Sequence, residues 1–259
     1  AERLTNLRNQ EHQQMKEYVN LPFGRHMAFL IQALDGDLNQ LTEPKLPPLP
    51  ESANSKLIQE AINFLCRSDF PIEPRKQFPA GGLHDYAVKG NIPEAYQAQK
   101  GRVLSIWGDA GWGGLVKQGK YQDGRFSDEL VTAFVEMIQD WNPQPAPTWV
   151  TCVPSLRHPD LVPNFAQRIA QELGLSFKQL IVKTKETAEQ KTMANSNLQA
   201  RNLDGAFSLS HLPPQGAVLL IDDMVDSRWT LTICAYLLKK HGSGAVFPAA
   251  LAQTSGNTK

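Results

Sequence analysis

The chain has 259 residues, 41% hydrophobic and 20% charged, with 26 lysines and arginines set against 26 aspartates and glutamates. That balance excludes a bulk electrostatic attraction to nucleic acid and leaves room only for a local basic patch. The composition is that of a globular chain long enough for one large domain or two to three small ones. No stretch nears the ~20 apolar residues that a bilayer span needs, and the N-terminus lacks an apolar signal core, so the sequence reads as cytoplasmic with no membrane partner. Cys66, Cys152 and Cys234 lie far apart in apolar runs. This is the pattern of buried thiols in a reducing compartment, and no metal site is expected.

From the N-terminus, Glu2 to Val19 is polar with Leu4, Leu7, Met15 and Tyr18 at helical spacing, and Arg25 to Leu34 carries Met27, Leu30, Ile31 and Leu34 on one face. Residues 1–42 therefore read as a small helical pair. Its apolar face is too thin to stand alone, and the chain opens in mid-helix without an initiator Met, so it is expected to be a fragment of something longer. Residues 43–51 are proline-rich and extended, a linker.

Residues 52–141 read as an α+β, winged-helix-like module. A helix from about Ser52 to Cys66 presents Leu57, Ala61, Phe64 and Leu65 as a stripe. An extended piece, Ile72 to Phe78, follows, and then turns at Pro79 and Gly81-Gly82. A second helix is expected from Ile92-Pro-Glu94 to about Trp107, then a glycine-rich turn, Gly108 to Gly114, and a helix from Ser127 to Trp141. Cations interleave with aromatics at Arg75-Lys76-Gln-Phe78 and along Lys117-Gln-Gly-Lys120-Tyr121-Gln-Asp-Gly-Arg125-Phe126. Arg75, Lys76, Lys117, Lys120 and Arg125 are thus candidate contacts to DNA, duplex or junction, with rings to stack on or wedge against bases. The opposing reading is a solvated hairpin whose aromatics belong to the core.

A second proline-rich linker, residues 142–147, leads to the last unit, 148–259. Strand Thr148 to Pro154, helix Asp160 to Leu173, strand Phe177 to Thr184, a polar loop to about Leu203, strand Ala217 to Ile221, helix Trp229 to His241 and strand Ala245 to Ala252 alternate as a parallel α/β sheet does. Ligands of such sheets bind beyond the carboxyl ends of the strands, where Asp222 and Asp223 stand after Val218-Leu-Leu-Ile221. The next turn, Met224-Val-Asp-Ser-Arg-Trp-Thr230, enters a helix whose free N–H groups, hydroxyls and dipole suit a phosphate. A Walker B reading fails because no Gly-x-x-x-x-Gly-Lys-Ser/Thr occurs, and a receiver domain fails on the short chain left after Asp223. Acids that merely cap the next helix remain an alternative.

On these motifs residues 148–254 resemble phosphoribosyltransferases of the competence-associated type. Thr151-Cys-Val-Pro-Ser155 resembles the family's first active-site loop, Lys183 to Arg201 its mobile loop, and Arg201-Asn202-Leu-Asp-Gly-Ala-Phe207 the segment after it. The resemblance implies that Asp222 and Asp223 hold the ribose hydroxyls of phosphoribosyl pyrophosphate, with Mg²⁺, and that Asp226, Ser227 and Thr230 line the 5′-phosphate loop, with Ser155 nearby. Where the family has a glycine and a small residue, this chain has Arg228 and Trp229, which should obstruct the phosphate's approach to the backbone. Arg228 is then a candidate for a different anion. Transfer and mere binding both stay open.

The N-terminal pair, Glu11 to Tyr18 and Gly24 to Asp35, resembles the zinc-module helices of RecQ-family DNA helicases, a subgroup of which carries a phosphoribosyltransferase-like domain at the C-terminus. The module's cysteines are absent, so metal binding does not carry over. The resemblance implies the C-terminal accessory region of an ATP-dependent 3′-to-5′ helicase that acts in DNA repair, its ATP-using motor domains upstream in the same chain. An active phosphoribosyltransferase and a protein-interaction scaffold are the alternatives.

Overall fold

A computed structural model describes residues 2–41, 52, 54–66, 69–185 and 196–254. Two compact units divide the chain, Ala1–Leu57 and Ile58–Lys259. The first holds α1 (Glu2–Val19) and α2 (His26–Ala33), on the spans where helical periodicity puts them. The Tyr18 ring meets His26 edge-on at 4.9 Å and Phe29 at 5.8 Å. Leu4, Leu7, Met15, Met27 and Leu34 are exposed and α2 buries no residue, as expected of so thin an apolar face. The expected linker 43–51 lies outside the described residues. Helix α3 (Ser55–Leu65) straddles the division between the units.

The second unit is a mixed α/β fold on one six-stranded, mostly parallel sheet. Its strands are β1 (Phe70–Ile72), β2 (Gly101–Ile106), β3 (Trp149–Cys152), β4 (Ser176–Phe177), β7 (Val218–Val225) and β8 (Val246–Gln253), in the order β1-β2-β8-β7-β3-β4. All neighbours are parallel except the edge pair β1–β2. A short antiparallel hairpin, β5 (Ile181–Lys183) with β6 (Phe207–Leu209), stands apart.

Helices cover both faces, so the central strands are apolar on both sides, the run of Val218 to Ile221 included. On one face α4 (Trp112–Gln118), α5 (Asp128–Trp141) and α6 (Leu161–Glu172) bury Val116, Phe134 and Phe165 against Leu219 and Ile221. On the other, α8 (Trp229–Lys240) buries Trp229, Ile233 and Cys234 against Val218 and Leu220, joined by α7 (Ser196–Asn202), the hairpin and the aromatic residues Phe78 and Tyr96. Helix α5 starts where Ser127 Oγ accepts from the Leu130 N–H and stops at Asn142 in the left-handed region, which fits the predicted span.

Several expectations need correction. The stretch ending at Trp107 is a strand, because Val103 and Leu104 are buried on opposite faces and Arg102 to Ile106 pairs in parallel with Ala249 to Gln253. A short apolar run of this kind satisfies helix and strand patterns alike until a pairing partner decides. The antiparallel β1–β2 pair forms the edge of the central sheet, and the described residues of 52–141 do not separate as a module of their own. Residues 142–147 connect α5 to β3 within one unit and mark no domain boundary. The expected strand Phe177 to Thr184 is two, β4 and β5, in different sheets, and the loop expected before Leu203 contains α7. Cys152 and Cys234 are buried free thiols, as the sequence implies, while Cys66 is only partly covered.

Gly101 marks how tightly β2 meets β8, since a Cβ there would run into the Pro248 carbonyl. Gly101→Ala is expected to cost roughly 1–3 kcal/mol through strand displacement. Urea unfolding followed by tryptophan fluorescence should show one transition moved to lower denaturant; an unchanged midpoint would count against a shared sheet.

Candidate functional site

Strand β7 does not end at Ile221. It continues to Val225, with Asp222 opposite Ala250 and Met224 opposite Ala252. Asp222 and Asp223 therefore lie within a strand, and successive side chains of a strand go to opposite faces. Asp222 follows Val218 and Leu220 toward the α8 side and is 7% exposed. Asp223 follows Leu219 and Ile221 toward the α4 side.

What Asp223 meets there is Lys120, whose Nζ stands 2.8 Å from its Oδ2, with the two side chains 19% and 13% exposed. Lys120 arrives on one π-helical turn, Gly119–Asp123, that continues α4 beyond its last residue. Packing explains Gly119, where a Cβ would press on the Arg125 carbonyl and the Phe126 ring. Burial works against charge on Lys120, yet Asp223, by charge and hydrogen bond, with Asp222 and Tyr121 behind it, holds its pKa above the ordinary lysine value. Lys120 is thus engaged in a largely covered ion pair within the protein.

Asp222 has a different environment. Its Oδ1 accepts the Asp223 N–H at 2.9 Å. Burial, and then the Asp223 charge, push its pKa well above 3.8, while Lys120 and Lys183 pull the other way. Thr151, fully buried on the neighbouring strand, leaves its hydroxyl without a hydrogen-bond partner.

The turn expected to cradle a phosphate is also engaged by the protein's own side chains. Arg75, from the segment after β1, donates from Nε and a terminal nitrogen to the Ser227 carbonyl at 2.9 and 2.6 Å. Its guanidinium carbon lies 3.9 Å from the centroid of the Trp229 ring, and Trp229 itself is 3% exposed. Arg228 adopts φ 66°, left-handed for a residue with a Cβ, and donates to the Glu73 carbonyl at 3.2 Å. Burial and then the Arg228 charge lower the Arg75 pKa to about 10. Asp226 accepts from Thr254 Oγ1 at 3.0 Å and Gln199 Nε2 at 3.2 Å, which ties the loop to the end of β8 and to α7. Thr230 opens the first turn of α8, half-buried.

The remaining candidates scatter. Ser155 accepts the His158 N–H at 3.3 Å in the turn after β3. Lys76 and Lys117 are exposed. Arg125 pairs with Asp128 at 3.2 Å, a carboxylate that also takes Arg168. Of the five cations expected to contact DNA, Arg75 contacts Ser227 and Trp229, Lys120 pairs with Asp223, Arg125 pairs with Asp128, and Lys76 and Lys117 are exposed. A cleft of about 190 Å³ between Gln77–Ala80 and Lys89–Asn91 shares no residue with the acidic pair. Sequence reasoning missed the carbonyl of Glu73, and it passed over Lys183 as a charge acting on Asp222.

Neither phosphoribosyl pyrophosphate nor its Mg²⁺ fits this arrangement as it stands. The Lys120 ammonium stands on Asp223 Oδ2, and Arg75 lies over the buried Trp229 ring in the turn where the sequence led a phosphate to be expected.

No family model matches the chain, and no curated protein matches it. Solved structures similar to it include adenine phosphoribosyltransferase from Leishmania tarentolae, at 16% identity over 49% of this chain and 72% of that one, TM-score 0.32. The Leishmania donovani enzyme gives 16% over 52% and 68%, TM-score 0.33. Purine phosphoribosyltransferase from Pyrococcus horikoshii Ot3 gives 18% over 49% and 75%, TM-score 0.31. Likenesses with TM-scores this low carry no argument of their own.

Two outcomes follow from the geometry. Arg75→Ala removes two hydrogen bonds and a cation–π contact from a buried loop, and thermal unfolding should register a loss of roughly 2–3 kcal/mol. Asp222 favours its protonated form in the folded state, so its contribution to stability is complete below the unfolded pKa of 3.8 and is lost as the pH rises through the raised folded pKa. Asp222→Asn keeps the acceptor for the Asp223 N–H. It should therefore gain stability over the parent at pH 8 and lose that gain as the pH falls toward 4, about the unfolded value, a trend that denaturant titration across pH would reveal.

Proposed function

We propose that residues 58–259 are a phosphoribosyltransferase-type domain that no longer transfers phosphoribosyl groups. In this reading the chain is the C-terminal accessory region of a RecQ-like, ATP-dependent DNA helicase, and the domain serves by binding or docking. One observation supports the non-catalytic part: the chain's own cations, Lys120 on Asp223 and Arg75 on the Ser227–Trp229 loop, engage the acidic pair and the turn after it. The parallel sheet with an acidic pair on β7 and a strand-to-helix loop at its end supports the fold part. The helicase context rests on the resemblance of the sequence in the order of its parts. Contact with nucleic acid would fall to the exposed cations Lys76 and Lys117, joined by Arg125.

Calorimetric titration of the whole chain with phosphoribosyl pyrophosphate and Mg²⁺ is the decisive experiment. The expected result is silence, in the parent and in Asp222→Ala/Asp223→Ala alike. Saturable binding by the parent that the double variant abolishes would restore the active transferase. For nucleic acid, affinity for a forked duplex should fall steeply with salt, and Lys76→Ala/Lys117→Ala should weaken it and flatten its salt dependence. Binding indifferent to salt would remove the DNA role, and with it the main use for an accessory region.

A further inference from the structure

Residues 76–92 fold back on themselves, and their two arms meet at an isolated antiparallel bridge between Gln77 and Asn91. The Phe78 N–H donates to the Gly90 carbonyl at 2.8 Å, and the Ile92 N–H to the Lys76 carbonyl at 2.9 Å. Those two bonds flank the bridge, so Gln77 and Asn91 form a non-hydrogen-bonded pair, the kind whose opposing side chains stand closest. Alternation along each arm then sorts the side chains. Phe78 and Ile92 are buried, with the Phe78 ring edge-on to Tyr236 of α8 at 5.3 Å, while Gln77 and Asn91 are exposed. Two carboxamides are thus presented side by side on a mount fixed to the core, about 5 Å apart at their Cβ atoms.

Both carboxamides line the cleft of about 190 Å³, together with Lys89, Pro79 and Ala80. Gly90, at φ 75°, keeps it clear, since nothing lies within 4 Å of where its Cβ would be. A site that encloses a whole small molecule measures roughly 300–1,000 Å³. This cleft therefore suits one ring of a ligand that continues outside it. Its polar groups narrow the choice. A carboxamide carries a donor and an acceptor in one plane, the complement of a nucleobase edge, and N6 with N7 of adenine is the best match. Lys76 and Lys89 make no ion pair among the described residues, whereas Glu73 and Asp85 of the same stretch are taken by Lys100 and Lys185. The two ammonium groups stand ready for the phosphates on either side of such a base.

We infer that the Gln77–Asn91 cleft takes one unpaired base of a DNA strand, adenine by preference, with the carboxamides on the base edge and Lys76 and Lys89 on the adjoining phosphates. A paired base keeps its Watson–Crick edge inside the duplex and its ring in the stack, so a cleft between two hairpin arms reaches only a base that has left both. The inference rests on the nucleic-acid role proposed above, gives that role a place on the molecule, and adds a preference for single strands.

Its test is fluorescence anisotropy on the whole chain with three labelled probes: a short oligo(dA) strand, a strand of the same length made of abasic deoxyribose phosphates, and a forked duplex. The parent should bind oligo(dA) about tenfold more tightly than the abasic strand, the discrimination expected of a base-edge contact. Gln77→Ala/Asn91→Ala should erase that preference and leave affinity for the abasic strand unchanged. Lys89→Ala should weaken both strands and lower the slope of log affinity against log salt by roughly 0.7, the share of one phosphate on a single strand. All three side chains are exposed, so the variants keep the fold. Equal affinity of the parent for oligo(dA) and the abasic strand would overturn the inference, and so would a preference that survives Gln77→Ala/Asn91→Ala. In either case salt-sensitive binding to the forked duplex would leave the wider nucleic-acid role standing. A parent that binds none of the three probes would remove the role and the inference together.

Discussion

Everything at the candidate site depends on the parallel pairing of β2 with β8. Strand β8 is buried along its whole length, and its backbone groups need partners on both edges. Strand β7 supplies one edge and β2 the other. Once β2 is fixed there, the segment that leaves it continues through α4 and the π-helical turn and brings Lys120 to Asp223. The segment between β1 and β2 is fixed as well, and it brings Glu73 and Arg75 to the start of α8. One strand pairing therefore delivers both groups of residues that fill the site.

Those residues answer an electrostatic demand. A carboxylate inside a sheet covered on both faces loses most of its hydration, and it must be protonated, paired or hydrogen-bonded to be tolerated. The two acids reach different solutions: Asp223 pairs with Lys120, and burial moves Asp222 toward its neutral form. The loop after them shows the same logic for cations. Arg75 keeps its charge while burying its plane on Trp229 and giving two N–H groups to one carbonyl, and the nearby charge of Arg228 costs it basicity. The α/β architecture offers the carboxyl ends of its strands as a ligand site, and in this chain Lys120 and Arg75 lie against the residues found there.

Much of this was legible beforehand. The apolar run from Val218 to Ile221, the helix after Thr230 and the alternation from Trp149 onward place β3, α6, β7, α8 and β8 within a few residues. The strand that carries Asp222 and Asp223 and the turn into α8 at Trp229 could also be read directly, since a long apolar run and a helical period are local signals. The reading failed where a residue's partner lies far along the chain. Gly101 to Ile106 looked helical because both faces are apolar, and only β8 makes it a strand. Arg75 and Lys120 looked like a nucleic-acid patch because a cation beside an aromatic ring is ambiguous until its counter-charge is seen. Their partners are 152 residues away for Arg75 and on a different strand for Lys120.

The sequence by itself determined the class of fold, the strand and helix that carry the acidic pair and its loop, and the bulky residues that alter that loop, because these follow from short-range periodicity and side-chain size. Tertiary structure alone decided that β1 and β2 join β3, β7 and β8 in one sheet, that the two aspartates point to opposite faces, and that Lys120 meets Asp223 and Arg75 meets Ser227 and Trp229. The physical reason is the range of the interactions. Hydrophobic patterning is written locally, whereas the pairing of a buried charge is settled by whichever distant segment the sheet brings within hydrogen-bond distance.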